Sequence, residues 1–240
     1  MDNLKEIEQK EFNYFNEIDF NLSHDLNKMI VALNSKDKIK KDWIDSFKRA
    51  DKKRQNSDFA RGAERVYFWL LNKFGTPNSS PVGADLMFEV WDAFVHIDIK
   101  TAKVSNKSDY KGKVPIGENQ TSYKSKNFNS NLPFFYTIEK ENKSKICLTY
   151  ILNIIYDDKS ENFKVLAVIL VAVPNGKLKK IYRDHIIGAG KSKGRSFRYE
   201  YKENPYFQLI KEKPLRIKSL HIDPQYKESY FTNIKEVKKY

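Results

Sequence analysis

The stretch VGADLMFEVWDAFVHIDIKTA, from Val82 to Ala102, decides the fold, because it predicts two apolar β-strands joined by a short turn. Among its charged residues, Asp85, Asp98 and Lys100 lie in or beside these runs at places where apolar side chains would pack. Side chains alternate between the two faces of a strand, so Asp98 and Lys100 share one face. The hairpin therefore has a charged face that requires a physical explanation.

The register of this hairpin follows from the position of its turn. A turn of two or four residues centred between Trp91 and Asp92 places Asp85 directly opposite Asp98. Opposed side chains of an antiparallel pair have Cβ atoms about 5 Å apart. Two carboxylates at that distance repel each other and destabilise the sheet, so a positive charge is expected beside them.

Two kinds of cation could supply that charge. Lys100 is on the same face as Asp98, and Mg²⁺ binds carboxylate and carbonyl oxygens while keeping several waters. Asp85, Asp98 and a nearby backbone carbonyl would bind such an ion, with the Lys100 amine beside it. A divalent ion polarises a phosphate and acidifies its bound water, which is the chemistry of phosphodiester hydrolysis. The alternative is a solvated hairpin face with weak surface ion pairs.

The order of these features resembles the PD-(D/E)xK nuclease superfamily and, within it, the type II restriction endonucleases. The pattern is a helix with an acid, Glu64, then SPVGAD, a hairpin, and HIDIK ending at Lys100. Ala84 stands before Asp85, where the superfamily motif has proline. The resemblance covers about residues 58–123 and implies an α/β fold. Its core would be restriction-endonuclease-like, with a mixed central β-sheet flanked by helices.

The resemblance also implies a role for each motif residue. Asp85, Asp98 and the carbonyl of Ile99 would bind Mg²⁺, and Lys100 would position the attacking water. Glu64 matches the helix acid that supports the metal or a nearby water, although a surface ion pair with a neighbouring arginine explains it equally well. The implied protein is a Mg²⁺-dependent type II restriction endonuclease that cuts both strands of a short, specific DNA site. It would be a homodimer with a companion DNA methyltransferase.

Outside the hairpin, the chain predicts helices followed by strands. Apolar residues at helical spacing predict a helical N-terminal extension over residues 1–55 and a further helix over 61–75. We expect the nuclease domain to span 56–240, or the whole chain to form one compact domain. The later segments predict three strands, a short helix and a last strand, at residues 132–138, 145–158, 162–175, 204–213 and 215–223.

The charge of the chain favours a polyanionic partner. The 44 Lys and Arg residues exceed the 31 Asp and Glu residues, for a net charge of +13. The excess is clustered within residues 100–126 and 186–218, which favours nucleic acid over a charge that serves only solubility. The single cysteine, the lack of a leader, and a longest apolar run of nine residues (165–173) indicate a soluble, cytoplasmic protein.

Two segments are candidates for DNA contact. IGENQTSYKSK (116–126) offers hydrogen-bonding side chains, and GAGKSKGRSFRY (188–199) offers cations for phosphates or guanine. A polar turn and a solvated basic loop are the alternatives. The second segment is not a phosphate-binding P-loop, because His185 stands where that motif needs glycine. The predicted DNA-contacting residues are Lys103, Asn119, Gln120, Thr121, Ser122, Lys191, Lys193, Arg195 and Arg198.

Two other functions are compatible with these patterns. A repair or recombination nuclease of the same superfamily would recognise DNA structure rather than sequence. A basic nucleic-acid-binding module without catalysis would bind DNA in a salt-sensitive manner that is indifferent to Mg²⁺.

Overall fold

The structure is a computed structural model that describes residues 2–34, 77–78, 85–138, 141–158, 163–191 and 196–234. The predicted helix over 61–75, with Glu64, lies outside the described residues, as do Lys193 and Arg195. The described α-helices are α1 (Asp2–His24), α2 (Leu26–Asn34), α3 (Lys179–Tyr182) and α4 (Glu228–Thr232). The described strands are β1 (Pro77–Asn78), β2 (Leu86–Glu89), β3 (Ala93–Lys103), β4 (Val114–Ile116), β5 (Phe135–Ile138), β6 (Lys143–Asp157), β7 (Lys164–Val173), β8 (Ile187–Ala189), β9 (Phe197–Tyr199) and β10 (Ile217–Ile222).

The main sheet is mixed, as the sequence predicts. Its strand order is β1-β2-β3-β6-β7-β10, and β5 pairs with the beginning of β6. The pairing of β3 with β6 is parallel, whereas the other described pairs of this sheet are antiparallel. A smaller antiparallel sheet has the order β4-β9-β8. The predicted mixed α/β architecture is therefore confirmed.

The two longest apolar runs form the centre of the main sheet. From Ile146 to Tyr156 in β6 and from Val165 to Val173 in β7, every residue is buried. Helix α1 packs against β6, β7 and β10, and α2 packs against β7, so one face of the sheet is covered by the N-terminal helices. Strands covered on both faces are apolar at consecutive positions, which explains these runs.

The predicted short helix over residues 204–213 is wrong. This segment consists of turns, and Tyr206 forms an isolated bridge with Leu215. The carboxylate of Glu8 in α1 accepts the backbone N–H groups of Gln208 and Leu209. These backbone N–H groups therefore bind a side chain of α1 and not the carbonyls of a helix.

Glu8 belongs to a buried ion cluster that ties α1 to the sheet. The Arg216 side chain is 0% exposed and reaches Glu11 at 2.6 Å and Glu8 at 3.2 Å. Its Nε donates to the Tyr182 hydroxyl at 2.7 Å, and its guanidinium lies 4.1 Å from the ring centre of Phe207. Burial raises the pKa of Glu11, even though Arg216 opposes that rise. One arginine thus binds two buried carboxylates, and the burial that raises the pKa of Glu11 favours its neutral form.

None of the helices in the described part of the chain is both long and apolar enough to cross a membrane.

Replacing Arg216 should destabilise the fold strongly. Arg216→Met removes the cation that pairs with Glu8 and Glu11, and breaking a buried ion pair costs about 3–5 kcal/mol. The matched control is Lys218→Met, since Lys218 pairs with Asp19 at a half-exposed position of β10. An exposed ion pair contributes less than about 1 kcal/mol. Equilibrium unfolding in denaturant measures both, and equal losses for the two variants would contradict the role of the cluster.

Candidate active site

The β2–β3 hairpin has the register that the sequence predicts. Leu86 pairs with Ile97 and Phe88 pairs with Val95, so Asp85, directly before β2, comes opposite Asp98. The N–H of Val90 donates to the Ala93 carbonyl, so Trp91 and Asp92 form the tip of the turn. Because β2 and β3 are apolar apart from the charged positions, the pairing buries one carboxylate beside another.

Four side chains and one backbone group meet at the open end of this hairpin. Asp98 is 1% exposed, and the Lys100 ammonium lies 2.6 Å from its Oδ2. The Gln120 amide donates to the other oxygen, Oδ1, at 2.9 Å. Asp85 accepts the backbone N–H of Ile99 at 2.6 Å, which holds its carboxylate against β3. The structure therefore brings Asp85, Asp98 and Lys100 together.

The charge balance of this cluster is negative. Burial above all, with the negative charge of Asp85, raises the pKa of Asp98 to about 7 against the opposing effect of Lys100. His96, on the same face of β3, is fully buried, and burial lowers its pKa to about 4. It is therefore neutral at physiological pH and adds no positive charge. One lysine does not compensate both carboxylates.

The donor atoms at the site fit a hard divalent cation. Oδ2 of Asp98 is buried 2.6 Å from the Lys100 ammonium, and because a carboxylate oxygen can accept more than one contact, it keeps acceptor capacity for a cation. Among the residues that the structure describes, no group of three or more His, Cys, Asp or Glu side chains forms a metal cluster. Two carboxylates completed by the predicted Ile99 carbonyl and by water suit Mg²⁺, which retains several waters.

The predicted DNA-contacting residues occupy different environments. Asn119 is exposed and accepts a hydrogen bond from Asn131, whereas Thr121 and Ser122 are buried. The Thr121 hydroxyl accepts the N–H of Tyr123, and the Ser122 hydroxyl accepts that of Gly176 at 3.1 Å. These two hydroxyls stabilise the loop and leave no accessible surface for a ligand.

The basic candidates form ion pairs with acids that the sequence does not single out. Lys103 is partly exposed and pairs with Asp158. Lys191 and Arg198 both contact Asp109, at 2.9 and 2.7 Å. Arg198 is buried, whereas the Lys191 side chain is 62% exposed. Asp109 comes to these residues from the loop between β3 and β4, a long-range contact that no sequence spacing indicates.

Gln120 makes a contact that the sequence does not predict. It is predicted as a DNA contact, yet its side-chain amide binds Asp98 inside the carboxylate cluster. The 22 residues that separate them in sequence include the whole loop between β3 and β4. A polar residue after a strand is too common a pattern to indicate that contact.

Two family models, both of type II restriction enzymes, match this chain. Residues 3–161 match the family described as type II restriction enzyme MwoI, N-terminal domain, and residues 165–222 match the family described as its central domain. No curated protein sequence matches the chain.

Two solved structures share the fold. Restriction endonuclease BglI bound to its DNA recognition sequence has a TM-score of 0.64 and 15% identity, over 92% of this chain and 93% of that one. Tetrameric restriction endonuclease SfiI bound to cognate DNA has a TM-score of 0.67 and 15% identity, over 95% and 88%. The prediction of a type II restriction endonuclease is confirmed: the chain belongs to the MwoI family of type II restriction enzymes, which are site-specific deoxyribonucleases.

Proposed function

We propose that this protein is a Mg²⁺-dependent endonuclease that hydrolyses phosphodiester bonds at a short, specific site in double-stranded DNA. The observation that carries the proposal is the pair of opposed carboxylates, the partly buried Asp85 and the fully buried Asp98, with the Lys100 ammonium 2.6 Å from Asp98. Such a cluster has unsatisfied negative charge and hard oxygen donors, which is the environment that a divalent cation requires.

Each residue of the cluster has a task in this mechanism. Asp85, Asp98 and the carbonyl of Ile99 would hold Mg²⁺, which polarises the phosphate and acidifies a water when bound. The N–H of Ile99 keeps the Asp85 carboxylate in place. Lys100, with 23% of its side chain exposed, is accessible to solvent and would orient the attacking water by hydrogen bonding. Glu64, outside the described residues, remains a predicted supporting acid.

DNA binding follows from the charge and from the relatives. Both BglI and SfiI are described as bound to DNA, and this chain carries a net charge of +13. We retain the accessible residues Lys103, Asn119 and Lys191 as phosphate or base contacts. Burial removes Thr121 and Ser122 from this set. Arg198 is buried, so we propose only an indirect role for it: it binds Asp109, which also binds the exposed Lys191.

The test of specificity is digestion of unmethylated phage DNA with Mg²⁺ and, in parallel, with chelator. Discrete bands that require Mg²⁺ support the proposal, and sequencing their ends gives the recognition site. A smear would indicate the structure-directed or nonspecific nuclease instead. Salt-sensitive binding without any cleavage, on several DNAs that differ in sequence and methylation, would indicate the binding module.

Changing Asp98 or Lys100 should abolish cleavage with little loss of DNA binding. We expect Asp98→Asn and Lys100→Met to lower the cleavage rate by at least about a hundredfold, the usual contribution of a group that moves or orients a proton. Glu89→Gln is the matched control, because Glu89 lies on the same hairpin and pairs with Lys145 at the surface. Single-turnover cleavage and gel-shift assays measure the two effects. Cleavage by Asp98→Asn at the wild-type rate would exclude the assigned site.

The raised pKa of Asp98 predicts a pH dependence of stability in the metal-free protein. Unfolded aspartate has a pKa of about 3.9, whereas Asp98 in the fold has a pKa of about 7. Between these values the folded state binds more protons, so this carboxyl makes the protein less stable as the pH rises. Asp98→Asn stays neutral and escapes that loss.

Thermal unfolding in chelator measures the effect. We expect the Tm of Asp98→Asn minus the wild-type Tm to increase from pH 4.5 to 7. Above about pH 7.5 this Tm difference should become constant. Other titrating groups are common to both proteins and cancel in the difference. Adding Mg²⁺ at pH 8 should raise only the wild-type Tm. If the Tm difference between the two proteins did not change with pH, the raised pKa of Asp98 would be contradicted.

We also propose that two copies act on one duplex, since each chain supplies one such cluster in its described part and two strands must be cut. Mixing the wild type with an excess of Asp98→Asn would then form dimers with one active centre. On a supercoiled plasmid with a single site, these dimers should accumulate nicked circles. An enzyme that cuts both strands as a monomer would still produce linear DNA, only more slowly.

We also propose a partner enzyme and a location in the cell. A companion DNA methyltransferase would protect the host's own sites, so DNA that carries its modification should resist cleavage. A cytoplasmic location suits the single cysteine, Cys147, which is a buried free thiol and needs no oxidising compartment.

A further inference from the structure

Gln120 forms a bridge between a backbone group and the buried carboxylate of the site. Its amide nitrogen donates to Oδ1 of Asp98 at 2.9 Å, and its amide oxygen accepts the N–H of Gly117 at 2.6 Å. A backbone N–H can only donate, and an ionised carboxylate can only accept. The two partners together therefore fix which end of the amide faces Asp98.

The turn that carries Gln120 is held from several sides. Residues 118–120 form a single 3₁₀ turn, and the carbonyl of Glu118 accepts the N–H of Asn131 at 2.8 Å. The next two residues, Thr121 and Ser122, are buried, and Ser122 accepts the N–H of Gly176. The backbone beside Gln120 is thus anchored to elements that are distant in sequence.

The close approach at Gly117 shows how tightly the bridge is packed. A Cβ atom at this position would lie 3.1 Å from the amide oxygen of Gln120 and 3.2 Å from its amide carbon. Those distances are shorter than ordinary van der Waals contact, so a side chain would displace the amide. Glycine leaves the space in which the Gln120 side chain folds back on its own turn.

We propose that Gln120 is a positioning residue for the metal ligand Asp98. By holding Oδ1, the amide prevents rotation of the carboxylate and leaves Oδ2 available beside Lys100. Hydrogen bonds to a ligating group that fix its orientation typically contribute 10- to 100-fold in metal affinity. The inference rests on the proposed function, because it requires Asp98 to bind the cation.

Three variants test this role in the full-length protein. Gln120→Met has a similar length and no hydrogen-bonding groups, and Asp98→Asn removes the charge of the metal ligand. Glu118→Ala is the matched control, since Glu118 is exposed and lies in the same 3₁₀ turn. The measurements are Mg²⁺ and Ca²⁺ titration by calorimetry without DNA, Tm in chelator, and kcat and KM for DNA cleavage.

We expect Gln120→Met to bind both cations about 10- to 100-fold more weakly. At a fixed Mg²⁺ concentration below saturation, its kcat should fall while its KM for DNA stays within about twofold of the wild type. Glu118→Ala should resemble the wild type in cation affinity. That combination separates orientation of Asp98 from a general loosening of the turn.

Three results would overturn the inference alone: unchanged cation affinity in Gln120→Met, a rise only in its KM for DNA, or a fall only in its Tm. The second would make Gln120 a DNA contact, as the sequence predicts, and the third would make it purely structural. A different result would overturn the proposed function as well. If the wild type and Asp98→Asn bind the cations equally, Asp98 is not a metal ligand and has nothing for Gln120 to position.

Discussion

The parallel pairing of β3 with β6 is the constraint on which the active site depends. It places Asp98 beside Ile151, and Lys100 beside Asn153, in the middle of a sheet whose central strands are buried. An edge strand would leave the carboxylate in water, where its charge needs no compensation. In this position the charge has to be balanced by groups that the fold or a bound ion supplies.

Two ion clusters, one fully buried and one open to solvent at Asp85 and Lys100, meet that requirement differently. In the first, Arg216 binds Glu8 and Glu11, and backbone N–H groups of Gln208, Leu209 and Asn175 complete the two carboxylates. In the second, Lys100 contacts Asp98, Asp85 accepts a backbone N–H, and the pKa of Asp98 is raised to about 7. The first cluster is closed and joins α1 to the sheet. The second leaves acceptor capacity on Asp98, which supports the proposed cation site.

The sequence predicts the local parts of this site and misses the long-range ones. Strand alternation and one turn position are sufficient to oppose Asp85 and Asp98, because hairpin register is a local property. The contact of Gln120 with Asp98 and the meeting of Lys191 and Arg198 on Asp109 depend on how loops cross the sheet. The wrong helix over residues 204–213 has the same origin, since Glu8 comes to it from the other end of the chain.

The chemistry of Gln120 fits a site that must remain negative. When both carboxylates are ionised, Asp85, Asp98 and Lys100 carry one net negative charge, which would favour the proposed cation. An arginine or lysine at position 120 could also hold Asp98, but it would cancel that charge and compete with the metal ion. A carboxylate there would add repulsion without a donor. A neutral amide orients the ligand and leaves the charge balance unchanged, so glutamine fulfils both requirements at this position.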